Sequence, residues 1–177
     1  LFRFSGGTSI PRGHSGWLGV HLGMTGELLA VPPPYAPDPL DHLVLETTRH
    51  ALVFRDMRLF GRVHFDVRKE APDYWRALPP PLLSDDFTRD ALKAFLRRRA
   101  KAPIKAVLLM QERFPGIGNW MADEILWRAR IHPATPAGRV SPRKLTTLYE
   151  TIREVCRDAL DVVGTDWNPP PDSWLFN

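Results

Sequence analysis

Phe114-Pro115-Gly116-Ile117-Gly118-Asn119 separates two stretches of helical period and decides how the second half of the chain is read. Two glycines flank one apolar residue, which makes a tight backbone open to close approach. Pro115-Gly116 ends one helix, and Asn119 opens the next. The first turn of that next helix has N–H groups without intrahelical partners and a partial positive charge. A phosphate fits such a place. Asn119 adds a side-chain amide, and Lys105, one helix earlier, adds a full charge. A plain helix–helix turn with glycine as C-cap accounts for the same residues. The stretch alone leaves both readings open.

Outward from it, the helical period continues in both directions. Thr88 caps a helix with Leu92, Phe95 and Leu96 on one face. Pro103 suits the first turn of a second helix carrying Ile104, Val107, Leu108 and Gln111. The helix begun at Asn119 is expected to run to about Arg130, with Asp123 and Glu124 in its first turns, where carboxylates favour the helix dipole. Ser141-Pro142 forms an N-cap and N1 pair for a fourth helix. Its apolar face carries Leu145, Leu148, Ile152, Val155, Ala159 and Leu160, and Gly164 is expected to end it. Residues 165–177 show no regular period.

The first 67 residues have period two instead. Trp17 to Met24 is apolar and partly alternating, ends at Thr25-Gly26, and resumes from Leu28 to Val31. Pro32-Pro33-Pro34 stops ladder pairing. His42 to Thr47 and Ala51 to Arg55 read as a hairpin, and Gly61 to Val67 as a further strand. Such short strands suggest an antiparallel sandwich or barrel. Arg68 to Asp86, with Pro72 and Pro79-Pro80-Pro81, reads as a linker. The expected organisation is a β domain over 1–67, a linker over 68–86 and a helical domain over 87–177.

Composition sets outer bounds. Hydrophobic residues at 44% and charged residues at 25% allow a packed core and exclude disorder as the default. A net charge of +4 permits a nucleic-acid partner without requiring one. Five of the basic residues, Arg97, Arg98, Arg99, Lys101 and Lys105, lie within nine positions, and Arg113 follows. A solvated helix face explains that run as well as a polyanion does. Cys156 is the single cysteine, which excludes an internal disulfide and a cysteine-built zinc site, and it is expected as a small buried residue. No apolar stretch is long enough to span a membrane. Leu1-Phe2-Arg3-Phe4 looks like an interrupted strand and not like a signal peptide.

Three segments together carry a family resemblance. They are Val20-His21-Leu22-Gly23-Met24-Thr25-Gly26, Asp56-Met57-Arg58-Leu59-Phe60-Gly61, and the long stretch from Ile104-Lys105 through Gly116-Ile117-Gly118-Asn119 to His132-Pro133. In order and spacing they resemble the HLGMxG strand end, the D-P-R-R-F-G segment and the helix–two-turn–helix signature of the formamidopyrimidine-DNA glycosylase/endonuclease VIII family. The resemblance implies an α+β fold, with an antiparallel β-sandwich followed by a helix–two-turn–helix domain. It implies base-excision repair on duplex DNA containing a damaged base or an abasic site. Met24, Arg58 and Phe60 match the side chains that fill the hole left by an extruded base. Read without the family, Met24 and Phe60 are core-packing candidates. His42 matches a histidine on the DNA backbone, and Lys105, Asn119 and the Gly116 and Gly118 turn match the phosphate grip.

The sequence departs from the family at Met57, where proline is usual, and at Leu59, where a second arginine is usual. The family's N-terminal Pro-Glu pair, whose proline amine attacks the sugar, has no match in these 177 residues, and neither has its helper lysine. The expectation is an internal piece of a longer chain with no catalytic residue of its own. No cofactor is expected within it, though zinc is compatible with the intact protein. A monomer in the cytoplasm, acting on nucleoid DNA and not at a membrane, is the expected setting. A non-catalytic nucleic-acid-binding module built on the same helical unit is the alternative. The wedge residues speak against it, because a pure binder needs no void filler.

Overall fold

The alternating segments of the first half form six antiparallel strands in two three-stranded sheets. They are β1 (Phe2–Phe4), β2 (Ser15–His21), β3 (Gly26–Val31), β4 (Asp41–Glu46), β5 (Ala51–Asp56) and β6 (Arg62–Arg68). One sheet has the order β1-β2-β6 and the other β3-β5-β4. The chain therefore crosses between sheets twice, after β2 and after β5. His21 pairs with Arg62 and Gly26 with Asp56, so both crossings spring from the same end of the strands. The computed structural model describes residues 1–6, 9–166 and 170–175. It forms two compact units, Leu1–Ala77 and Leu78–Asn177.

The first unit is an antiparallel β-sandwich with a small core in which Leu18, Ala51, Val53 and Phe54 are buried. The segment read as one linker, 68–86, divides between the units. Arg68 closes β6, a short helix α1 spans Asp73–Arg76, and Leu82 is buried in the helical core of the second unit. Arg153 holds that last part by donating to the carbonyls of Leu82, Leu83 and Ser84 at 3.2, 3.0 and 2.8 Å. Proline content signalled irregular backbone here, but irregular backbone can still be packed.

The second unit contains α2 (Arg89–Arg98), α3 (Ile104–Leu108), α4 (Asn119–Arg128) and α5 (Pro142–Asp166). The Thr88 hydroxyl accepts the Ala91 N–H at 3.1 Å and caps α2. Leu92, Phe95, Ile104, Val107, Phe114, Ile117, Leu148 and Ile152 are among the residues of its core. Three helix limits differ from the pattern-based expectation. α3 stops at Leu108, so Gln111 is in a turn and not on the helix. α4 stops at Arg128, where Arg130 takes a left-handed φ of 52°. Ile131 and Arg130 N–H donate to the Leu126 and Trp127 carbonyls at 2.9 and 3.0 Å, and this crossed pair of bonds ends the helix without a glycine. α5 runs through Gly164, which a helix interior tolerates at a cost of about 1 kcal/mol. Leu160, expected on its apolar face, is exposed.

Within the aperiodic tail, residues 167–169, 176 and 177 lie outside the described residues. Trp174 is buried and packs on Trp120 with ring centroids 5.4 Å apart. Cys156 packs against the helical core, and burial pushes its thiol up to about 11, away from the reactive thiolate. Among the described residues no helix is long and apolar enough to cross a membrane.

Candidate nucleic-acid interface

The two sheet crossings carry an exposed apolar group on the first unit. Met24 is 74% exposed and Phe60 52%, and Leu59 beside it is also exposed. These side chains are therefore not core packing. Asp56, itself 1% exposed, organises both loops. Its carboxylate accepts the Gly61 N–H at 2.7 Å, the Thr25 hydroxyl at 2.9 Å and the Arg58 N–H at 3.2 Å. The Gly61 bond foremost, then the Thr25 and Arg58 bonds and the nearby His42, hold that carboxyl below its ordinary value.

The loops also touch through bare backbone. Gly23 has a φ of 67°, and a Cβ on it would lie 2.7 Å from the Phe60 carbonyl carbon. A Cβ on Gly61 would lie 2.4 Å from the Phe54 ring. Only glycine allows this approach at Gly23. Leu59 has a φ of 57°, uncommon for a bulky residue, and the turn it makes aims Arg58 and Phe60 outward. The Arg58 guanidinium lies over the Phe60 ring, 4.8 Å from its centroid.

His42 joins the same group through a β-bulge. The register passes from Asp41↔Arg55 to Leu43↔Phe54, so His42 is the extra residue. A bulge re-aims its side chain, and His42 Nε2 reaches the Asp56 carbonyl at 2.9 Å. Asp41, one residue earlier, is anchored by the Arg55 guanidinium at 2.8 Å and the Tyr35 hydroxyl at 2.6 Å. The Arg55 contact first, and then the Tyr35 bond, hold its carboxyl well below the usual range.

The second unit presents Lys105, Gly116, Gly118 and Asn119. Gly116 has a φ of 85°, and a Cβ at Gly116 or Gly118 would meet nothing within 4 Å. The backbone there is open on its outer side. Gln111 holds the turn in place, donating to the Ile117 carbonyl at 2.7 Å and accepting the Gly116 N–H at 3.0 Å. Ile117 is fully buried and anchors the turn from within. Lys105 does not stand free, because its ammonium pairs with Asp123 at 2.7 Å. Asp123 lies one turn after Asn119 on α4, so the pair brings Lys105 to the helix face that carries Asn119. Ion pairs, and not the helix dipole, therefore engage both acidic residues of α4, since Glu124 is buried against Arg128 at 2.6 Å.

Met24, Arg58, Phe60 and His42 thus gather around Asp56, and Lys105 and Asn119 gather around the Gly116–Gly118 turn. Asp56, Gln111 and Asp123 were within the motifs but unassigned. Their positions next to glycine-rich turns were the available signal. Among the described residues, no group of three His, Cys, Asp or Glu could hold a metal ion.

Known proteins resemble this chain in sequence and in fold. The family model described as the formamidopyrimidine-DNA glycosylase N-terminal domain matches residues 1–63, and that of the formamidopyrimidine-DNA glycosylase H2TH domain matches residues 78–168. The formamidopyrimidine-DNA glycosylase of Chloroflexus aggregans is 43% identical over 153 residues, covering 85% of this chain and 55% of that protein. That of Chloroflexus aurantiacus is 40% identical over 149 residues, covering 84% and 53%. A Lactococcus lactis FPG mutant in complex with a Fapy-dG containing DNA is similar in structure, with a TM-score of 0.75 at 26% identity over 88% of this chain and 57% of that one. The chain spans about half the length of the curated relatives it matches. Since the family's two domain models between them match nearly the whole sequence, the chain belongs to the formamidopyrimidine-DNA glycosylase family.

Proposed function

We propose that the intact protein is a base-excision-repair DNA glycosylase with abasic-site lyase activity, acting on oxidised bases in duplex DNA. This chain supplies the wedge that fills the lesion void and a clamp on the phosphate backbone. The observation that carries the reading is the exposure of Met24 and Phe60 on two loops tied by one buried carboxylate. Exposed apolar side chains gain by insertion between bases. Arg58 offers donors to the base that has lost its partner. His42, Lys105, Asn119 and the open backbone at Gly116 and Gly118 take the phosphates. Solved relatives carry DNA with an abasic site or with carbocyclic 8-oxo-G, which supports this substrate class. Such a protein acts as a monomer on nucleoid DNA in the bacterial cytoplasm. A zinc finger in the intact protein needs cysteines other than Cys156.

Met24→Ala tests the wedge. Burying a methionine contributes about 1.5–3 kcal/mol, so affinity for a duplex with a tetrahydrofuran abasic analogue is expected to fall roughly ten- to hundredfold. Affinity for intact duplex should stay within about twofold, because it rests on phosphate contacts. Equal loss on both duplexes overturns the wedge role. Lys105→Ala is expected to weaken binding to every duplex and to lower the salt slope by about 1. Asn119→Ala, which removes a neutral amide, should weaken binding with the slope unchanged. A Lys105→Ala slope equal to that of the unaltered chain removes Lys105 from the clamp.

A further inference from the structure

The basic run singled out in the sequence is only partly used by the clamp. Lys105 is ion-paired with Asp123. Arg98, Arg99 and Arg113 are not paired with any carboxylate among the described residues, although Glu112 adjoins Arg113 in sequence. These three arginines come from two separate segments, the C-terminal end of α2 and the turn after α3. All three approach one ring. Their guanidinium carbons lie 5.6, 5.8 and 6.0 Å from the centroid of Phe95.

The helix dipole accounts for cations at the end of α2, but not for the arrival of Arg113. Among the described residues the buried Nε of Arg113 finds no hydrogen-bond partner. Three like charges around one ring repel one another over a span of the order of the Debye length, about 8–10 Å. An anionic partner removes that penalty. Two other cations of the same unit contrast with this arrangement: Arg128 meets Glu124, Glu154 and Asp158, and Lys144 donates to the Ala129 and Arg130 carbonyls.

The arrangement also indicates what kind of anion fits. Neither the cavity beside Trp127 nor that beside Tyr35 includes the three arginines. Three cations drawn from two segments and outside both cavities suit an extended polyanion better than a small phosphate ester. It also adjoins the phosphate-gripping turn. Phe95 packs edge-on against Phe114 with centroids 5.7 Å apart, and Arg113 and Phe114 both donate their N–H to the Met110 carbonyl.

We propose that Arg98, Arg99 and Arg113 form a second grip on the phosphate backbone of duplex DNA, continuous with the Gly116–Asn119 turn. The inference rests on the reading that this chain binds duplex DNA. It assigns to the patch part of the sequence-independent affinity, and none of the lesion preference.

The test is the salt dependence of duplex affinity, followed by fluorescence anisotropy for the unaltered chain, for Arg98→Gln/Arg99→Gln/Arg113→Gln, and for the matching triple lysine variant. The slope of log affinity against log salt is expected to fall by about 0.9 for each phosphate that is no longer neutralised, thus by about 2.7 for the glutamine triple. The lysine triple should keep the slope, because counterion release counts charges. A folded glutamine triple with an unchanged slope overturns the proposal. If that triple does not fold, the Arg98→Gln/Arg99→Gln double, confined to two exposed residues, reads the same quantity. Its expected fall is about 1.8, and an unchanged slope overturns the proposal equally. An unaltered chain with no salt-sensitive duplex affinity overturns the DNA-binding reading itself, a result distinct from the loss of the patch alone.

Discussion

An Asp56→Ala variant is expected to fold, to melt at a lower temperature, and to lose its preference for abasic over intact duplex roughly tenfold, at the lower end of the loss expected for Met24→Ala. The reason is the number of elements that meet on one carboxylate. Gly61 and Arg58 belong to one sheet crossing and Thr25 to the other, and all three donate to Asp56. Alanine leaves two backbone donors and a hydroxyl without their acceptor in a packed place, which is destabilising. The loops stay tethered at their ends, so Met24 and Phe60 remain present but no longer share one fixed geometry. A one-ångström displacement is enough to spoil a constellation of this kind. Asp56→Asn should lie between the two, since its amide oxygen accepts some of these bonds and its NH2 accepts none. The pH dependence gives a second readout. The Gly61 N–H above all holds the folded carboxyl below its ordinary value of 3.8. Its contribution is therefore present above that value and lost as pH falls through the folded one. The Tm difference between the unaltered chain and Asp56→Ala should be full at pH 7 and shrink below about pH 4. A folded Asp56→Ala that keeps its abasic preference rules out a positioning role.

The strands and helices were legible because their burial follows a local period. β5 alternates in part, and Leu92, Phe95 and Leu96 share one face of α2, with no need for distant partners. What was not legible depends on partners far along the chain. Gln111 looks like another residue of α3, and only the closure of the turn on Ile117 and Gly116 makes it a brace for that turn. His42 looks like an ordinary strand residue, and only the bulge opposite Arg55 turns it to the Asp56 carbonyl. The short spacing from Asp56 to Gly61 did carry information, since a carboxylate before a glycine turn accepts backbone N–H groups. Its reach to Thr25, 31 residues away, required the sheet topology. Glu124 is the largest such case. Near the start of a helix a carboxylate suggests the dipole, yet this one is sealed in the core.

Glu124→Ala is expected to cost about 3–5 kcal/mol, the range for removing one partner of a buried ion pair. Glu124 is fully buried, and its two oxygens are both engaged. One accepts from Arg128 at 2.6 Å and the other accepts the Leu175 N–H at 2.8 Å. Arg128 continues to Glu154 and Asp158 on α5 at 2.9 and 3.1 Å, and its guanidinium lies 5.3 Å from the Trp174 ring centroid. This one carboxylate thus joins α4, α5 and the tail. Alanine leaves a mostly buried guanidinium with two outer partners, a lone backbone N–H and a cavity. Against a usual total of about 5–15 kcal/mol, that is a large fraction. Glu124→Gln keeps the volume and one acceptor, so its cost should be nearer about 1–3 kcal/mol. The double variant Glu124→Leu/Arg128→Leu separates charge from packing. Replacing both ions with apolar residues is often close to neutral, so it should be more stable than Glu124→Ala. Urea unfolding of the four chains checks the order. A Glu124→Ala cost below about 1 kcal/mol means that the outer carboxylates suffice for Arg128. The effect should also reach the clamp, because α4 begins at Asn119 and presents Asp123 to Lys105. In the destabilised chain, duplex affinity should weaken well below the unfolding midpoint, with the salt slope kept. A slope that falls instead means that Lys105 has lost its place, and that the buried glutamate holds the phosphate grip as well as the fold.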